Sequence, residues 1–203
     1  MELEVKKGNI TFNRVLSPLD ELAIPFSQAL ANHGIGHVYL SGYVAILFGR
    51  NRSSENIDVV CRKVPYDTFL SFWDSLGPQI ECLIPSDPNA AYEDYLLRQT
   101  ALRFTWTGTV IPNIEMKFEK DPLQKEALDD LLIVTVNGSD LPISPLEQQI
   151  AYKLFMGSDK DNEDARFLYQ LFNEHLDKNR LTYLLDILKV ERKNAVDILG
   201  EML

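Results

Sequence analysis

The sequence predicts an α+β fold: a central mixed sheet flanked by helices, followed by a C-terminal helical subdomain. Strand-like and helix-like segments alternate as far as residue 143, and from residue 144 onward only helical periodicity remains. With 203 residues, 45% hydrophobic and 25% charged, the chain can bury one good core with room for a small second one. The predicted division is a core over 1–143 and a helical subdomain over 144–203.

Each element has a local reason. Residues 17–33 open with Ser17 as N-cap and Pro18 at the first helical position, and Leu19, Leu22, Ala23, Phe26 and Leu30 then recur at helical spacing before Gly34. Pro25 lacks an N–H and predicts a kink or split in that helix. HVYLS reads as a buried strand, GYVAILFG as a short helix, and NIDVVCR as a strand with Asn56, Asp58 and Val60 on one face. VPYDTFLSFWDSLG is a helix stopped at Gly77-Pro78, QIECLI a strand and NAAYEDYLLRQ a further helix. ALRFTW and IEMKF, joined through TGTVIPN, read as an antiparallel pair. Ser144-Pro145 followed by Glu147 starts a run of amphipathic helices: PLEQQIAYKLFMG, NEDARFLYQLFNEHL, NRLTYLLDILK and RKNAVDILGEML.

The balance of 20 basic against 30 acidic residues, formal charge -10, disfavours broad adhesion to nucleic acid or anionic membrane, so a polyanionic partner has to be met locally. No charged-then-apolar leader opens the chain and no apolar run approaches the roughly 20 residues that cross a bilayer, which points to a cytoplasmic protein without a membrane partner. Cys61 and Cys82 sit in apolar strands without ligand spacing and read as buried free thiols. His33, His37 and His175 have no spacing that recommends them as ligands or bases.

The informative stretch is RSSENID, a polar string set between two segments that read as core. On a strand, residues two apart point the same way about 6.6 Å apart, so Asn56 and Asp58 can reach one point. Two hard oxygen ligands there suit Mg²⁺. Glu115, an acid in an otherwise apolar strand with Lys117 on its face, is the candidate third carboxylate. The small-residue step Ser41-Gly42 before a short helix lets backbone N–H groups approach a phosphate, and Arg52 can neutralise part of a triphosphate. Taken singly, Asn-x-Asp is more often a polar turn, Ser-Gly a strand-to-helix corner, and Glu115 with Lys117 an exposed hairpin face. Their joint order and spacing point to a site.

Leu40, Ser41, Gly42, thirteen residues, then Asn56-Ile57-Asp58 resembles the signature of the DNA polymerase beta-like nucleotidyltransferase superfamily. YLSGYVAILF and RSSENID are similar to segments of its minimal and abortive-infection-toxin-like members, as is ISPLEQQIAYKLFMGSDKDNEDARFL, with its Ser-Pro start, Lys153 and an acidic stretch before Ala-Arg. The resemblance covers roughly residues 20–172. It implies transfer of a nucleoside monophosphate from a nucleoside triphosphate to a hydroxyl acceptor with Mg²⁺ as cofactor. In that reading Asp58 and Glu115 are catalytic metal ligands and Asn56 a weakened one, while Ser41, Gly42, Arg52 and Lys153 hold the triphosphate. The chain departs from the pattern at Ser41, where the family has glycine, and at Asn56, where it has its first metal-binding aspartate. An amide oxygen brings no charge, which opens a second reading: a catalytically impaired nucleotide-binding or partner-binding module of the toxin-antitoxin type. A third, a protein-interaction role for the C-terminal helices, rests only on their apolar content. The acidic composition favours a small molecule or protein hydroxyl as acceptor, with a short RNA end as the alternative.

Overall fold

The structure is a computed structural model that describes residues 2–6 and 8–200. In chain order its elements are β1 (Glu4–Lys6), β2 (Asn9–Phe12), α1 (Pro18–Asn32), β3 (His37–Leu40), α2 (Gly42–Leu47), β4 (Asn56–Cys61), α3 (Tyr66–Ser75) and β5 (Ile80–Cys82). They continue with α4 (Pro88–Ala90), which runs into a π-helix (Ala91–Leu96), then β6 (Leu102–Trp106), β7 (Asn113–Phe118), α5 (Pro122–Asp129), β8 (Leu132–Val136) and β9 (Ser139–Ile143). The helices α6 (Leu146–Met156), α7 (Asp159–Phe172), α8 (Lys178–Ile187) and α9 (Arg192–Leu199) complete the chain. The end of the helix predicted over 192–203, residues 201–203, lies outside the described residues. Among the described residues no helix is long and apolar enough to cross a membrane.

The described strands form one mixed sheet in the order β1-β2-β8-β9-β3-β4-β7-β6-β5. β4 pairs with β7 in parallel and with β3 antiparallel, so the short helix α2 carries the chain from the end of β3 back into its neighbour. The two faces of β4 explain its sequence. Ile57, Val59 and Cys61 enter the main core, where Phe26 of α1 meets Phe72 of α3 and Phe104 of β6 at ring separations of 5.4 and 5.2 Å. Val60 faces the other way, into a small cluster with Val38, Ala127 and Leu128 under α5. Because side chains alternate, Asn56 and Asp58 share that second face. A polar string thus sits inside an apolar strand because one end of one sheet face is left open.

α1 starts as the sequence predicts: the Ser17 hydroxyl accepts from the Asp20 backbone N–H, and the Asp20 carboxylate accepts from that of Ser17. It continues through Pro25 as one helix rather than splitting. The lost hydrogen bond is outweighed by Leu22, Ala23, Phe26 and Leu30, all fully buried. The segments without a sequence-based prediction are β1, β2, α5 and the β8–β9 hairpin. Cys61 and Cys82 are free and buried, and burial pushes both thiols above their ordinary pKa.

Candidate functional site

The predicted residues gather in two groups that meet at the Ser41–Gly42 peptide. The first lies on the open sheet face. The β4–β7 register sets Asp58 directly beside Glu115 and Asn56 beside Asn113, while the β3–β4 register sets Leu40 opposite Asp58. Asp58 and Glu115 are partly buried, with 26% and 19% of their side chains exposed. Burial raises the Asp58 pKa, Lys117 opposes that rise, and the neighbouring Glu115 adds to it. The turn that brings Ser41 alongside is strained: Ser41 has φ 67° and ψ -140°, a region that L side chains rarely adopt. Its N–H is satisfied by Gln149 Oε1 of α6 at 3.1 Å, and the same amide donates to the Ser144 hydroxyl, so α6 props the turn.

The hydrogen bonds within this group run in one direction. Asn113 Nδ2 donates to Asn56 Oδ1 at 3.2 Å, and Asn56 Nδ2 donates to Glu115 Oε1 at 3.1 Å. Arg103 completes the chain with Nε and Nη2 on the same Glu115 oxygen, at 3.0 and 2.9 Å. The amide orientation follows because a carboxylate acceptor selects the NH₂ end of Asn56. Lys117 Nζ stands 3.9 Å from Asp58 Oδ1.

Mg²⁺ needs oxygens turned toward one point and an excess of negative charge. Here Asn56, the expected weakened ligand, turns its donor to Glu115 and its oxygen to Asn113, while Lys117 and Arg103 offset the charges of Asp58 and Glu115. The donor set as arranged does not fit a divalent ion.

The second group surrounds Asp164 of α7, which is fully buried. Lys153 Nζ lies 2.8 Å from Asp164 Oδ2 and 3.1 Å from Asp161, with only 3% of the lysine side chain exposed. Arg50 and Arg52 each bring Nε to 3.6 Å of an Asp164 oxygen. Among the described residues neither Asp164 oxygen has a partner in hydrogen-bond geometry, so the 2.8 Å contact counts as an ion pair and the cluster is held by charge. Lys153 and Arg52, expected to hold a triphosphate, are thus both engaged with an aspartate absent from the expected site residues. Asp164, Gln149 and Asn113 were missed. For Asp164 the signal was an acid three residues after Asp161 on a helical stripe also carrying Leu168; Gln149 and Asn113 gave none.

Gly42 has a steric role in this group. A Cβ on it would sit 1.8 Å from Arg52 Nη2, so a side chain here would make the guanidinium at the end of that flexible arm shift from its place beside Asp164. Gly42→Ala is expected to destabilise the protein, yet in an Arg52→Ala background the same change should be neutral or gain up to roughly 1 kcal/mol of helix propensity. A double-mutant cycle by thermal unfolding checks this, and additive effects would contradict it.

A cleft of about 250 Å³ opens beside Asp58, between the sheet face, α5 and α6. Leu40, Leu123 and Ala127 give it apolar surface, Lys117 and Lys120 basic groups, and Tyr152 and Met156 exposed side chains.

No protein-family model matches the chain, nor does any curated protein sequence. Solved structures do. An antigenic nucleotidyltransferase-like protein from Paracoccidioides brasiliensis is 14% identical and superposes with a TM-score of 0.58, over 90% of this chain and 92% of that one. JHP933 from Helicobacter pylori is 18% identical with a TM-score of 0.47, over 90% of this chain and 79% of that one. At such identities the likeness is one of fold, and the first of the two carries it. The chain has a nucleotidyltransferase-type α+β fold.

Proposed function

We propose that the protein binds a nucleoside triphosphate in the cleft beside Asp58 and that nucleotidyl transfer is impaired. The observation that carries the reading is the Asn56 amide, whose NH₂ is bonded to Glu115 where transfer to a hydroxyl with Mg²⁺ would need a metal-facing carboxylate. Binding is supported by the cleft itself: apolar walls for a nucleoside, lysines for phosphates and a raised carboxyl at its edge.

Calorimetric titration with each of the four nucleoside triphosphates tests the binding half, and pyrophosphate release tests the other. Saturable binding without pyrophosphate release is expected. Absence of binding by all four would overturn the reading, and turnover by the unaltered protein would return it to the Mg²⁺-dependent transferase that the resemblance implies.

A further inference from the structure

We propose that this cleft takes its nucleotide without a divalent cation, with Lys117 and Lys120 in direct contact with the phosphates. The inference rests on the nucleotide-binding reading and concerns how charge is balanced there. In a metal-dependent site, acidic side chains hold the ion and the ion holds the phosphates. Here Glu115 already accepts from Asn56 and from two nitrogens of Arg103. Asp58 has the Lys117 ammonium 3.9 Å from its Oδ1.

Lys117 is placed differently from Arg103. At 3.9 Å its ammonium is attracted to Asp58 but lies outside hydrogen-bond distance, and no hydrogen bond holds it among the described residues. Its three N–H donors remain available to an incoming oxygen, whereas the Arg103 fork is spent on Glu115. Lys120 lines the same cleft, is exposed, and has no carboxylate within ion-pair distance among the described residues. A phosphate chain bound there would meet both cations, together with Asp121, whose carboxylate accepts from the Gln124 N–H at the start of α5. It would also meet the Asp58 carboxylate, which in this arrangement repels the ligand.

That last point makes the proposal separable from a metal-dependent site. Removing the Asp58 charge should strengthen binding to a lysine-based site and weaken binding to a metal-based one. The probe is ATP, titrated calorimetrically into the full chain and into Lys117→Met and Asp58→Asn, once with excess EDTA and once with excess Mg²⁺. The expected result is wild-type affinity in EDTA at least equal to that in Mg²⁺, a loss of about tenfold or more in Lys117→Met, and tighter binding in Asp58→Asn. Circular dichroism checks that each variant is folded, and the two shift affinity in opposite directions, which a general loss of structure cannot do. ATP binding that appears only with Mg²⁺ and falls in Asp58→Asn would overturn the inference while leaving the nucleotide-binding reading intact. Absence of ATP binding under both conditions, together with absence of binding by the other three triphosphates, would overturn both.

Discussion

Asp164→Ala is expected to cost roughly 3–5 kcal/mol of stability, because it removes the buried acid at the centre of a lysine and two partly buried arginines and leaves Lys153 only Asp161 and Arg50 only Glu163. For a chain of this size that is a fall in melting temperature of roughly 6–20 °C. Truncating Lys153 to Met in the same background should recover part of the loss, since an apolar side chain replaces a buried charge left with Asp161 alone. Arg50 and Arg52 limit the recovery. They keep only partial access to water, with 23% and 19% of their side chains exposed. Thermal and urea unfolding of the single and double variants measure this, and a loss below about 1 kcal/mol for Asp164→Ala would mean that the cluster is solvated.

Asn56→Asp should have the largest effect on chemistry. The change removes the hydrogen bond that Asn56 donates to Glu115 and sets a third carboxylate beside Asp58 and Glu115. Without metal the variant should lose at least roughly 2 kcal/mol. The repulsion raises at least one carboxyl pKa above its unfolded value, so the folded state binds protons the unfolded state has released. The penalty is therefore absent below the ordinary aspartate pKa and grows as the pH rises through the raised one. With Mg²⁺ at about 100 times its dissociation constant, roughly 2.7 kcal/mol should return. Unfolding curves with EDTA and with Mg²⁺ at neutral and acidic pH read all three effects, and pyrophosphate release with a candidate acceptor reads any recovered transfer. A variant whose stability ignores Mg²⁺ would show that residues 56 and 58 cannot share an ion even with both carboxylates present.

Where side-chain period and turn chemistry agreed, the fold was legible. Ser17 with Pro18 announced α1, and the alternation in NIDVVC placed Asn56 and Asp58 on the face that the structure leaves open. β1 and β2 are too short for a period to register. α5 buries only Ala127 and Leu128, which is too narrow an apolar stripe to read. The β8–β9 hairpin had a usable signal: Asn137-Gly138, both with positive φ, sits between alternating strands and marks a two-residue hairpin turn. At the site, Asn56 and Asp58 were readable from strand spacing, and Ser41 and Glu115 from their residue types and their order along the chain, while the β3–β4 and β4–β7 pairings bring the four together. The partners of Arg52 and Lys153 were not, because a helix far along the chain supplies Asp164 and nothing local records which cations it will meet.

The order in which strands and helices pair has a consequence for how the protein is made. β2 lies in parallel beside β8, Asn9 opposite Ile133, and β3 touches β9 where Tyr39 meets Ile143. The Ser41 N–H waits for Gln149, and Arg52 for Asp164. On the ribosome, the first strands and the Ser41 corner therefore leave the exit tunnel long before the segments that complete them, and such distant pairings are slow to form. Only after α7 has been synthesised can Gly42, Arg52 and Lys153 reach their settled positions. A chain translated only as far as α6 holds Arg50, Arg52 and Lys153 without Asp164, a charge imbalance that the finished protein does not carry.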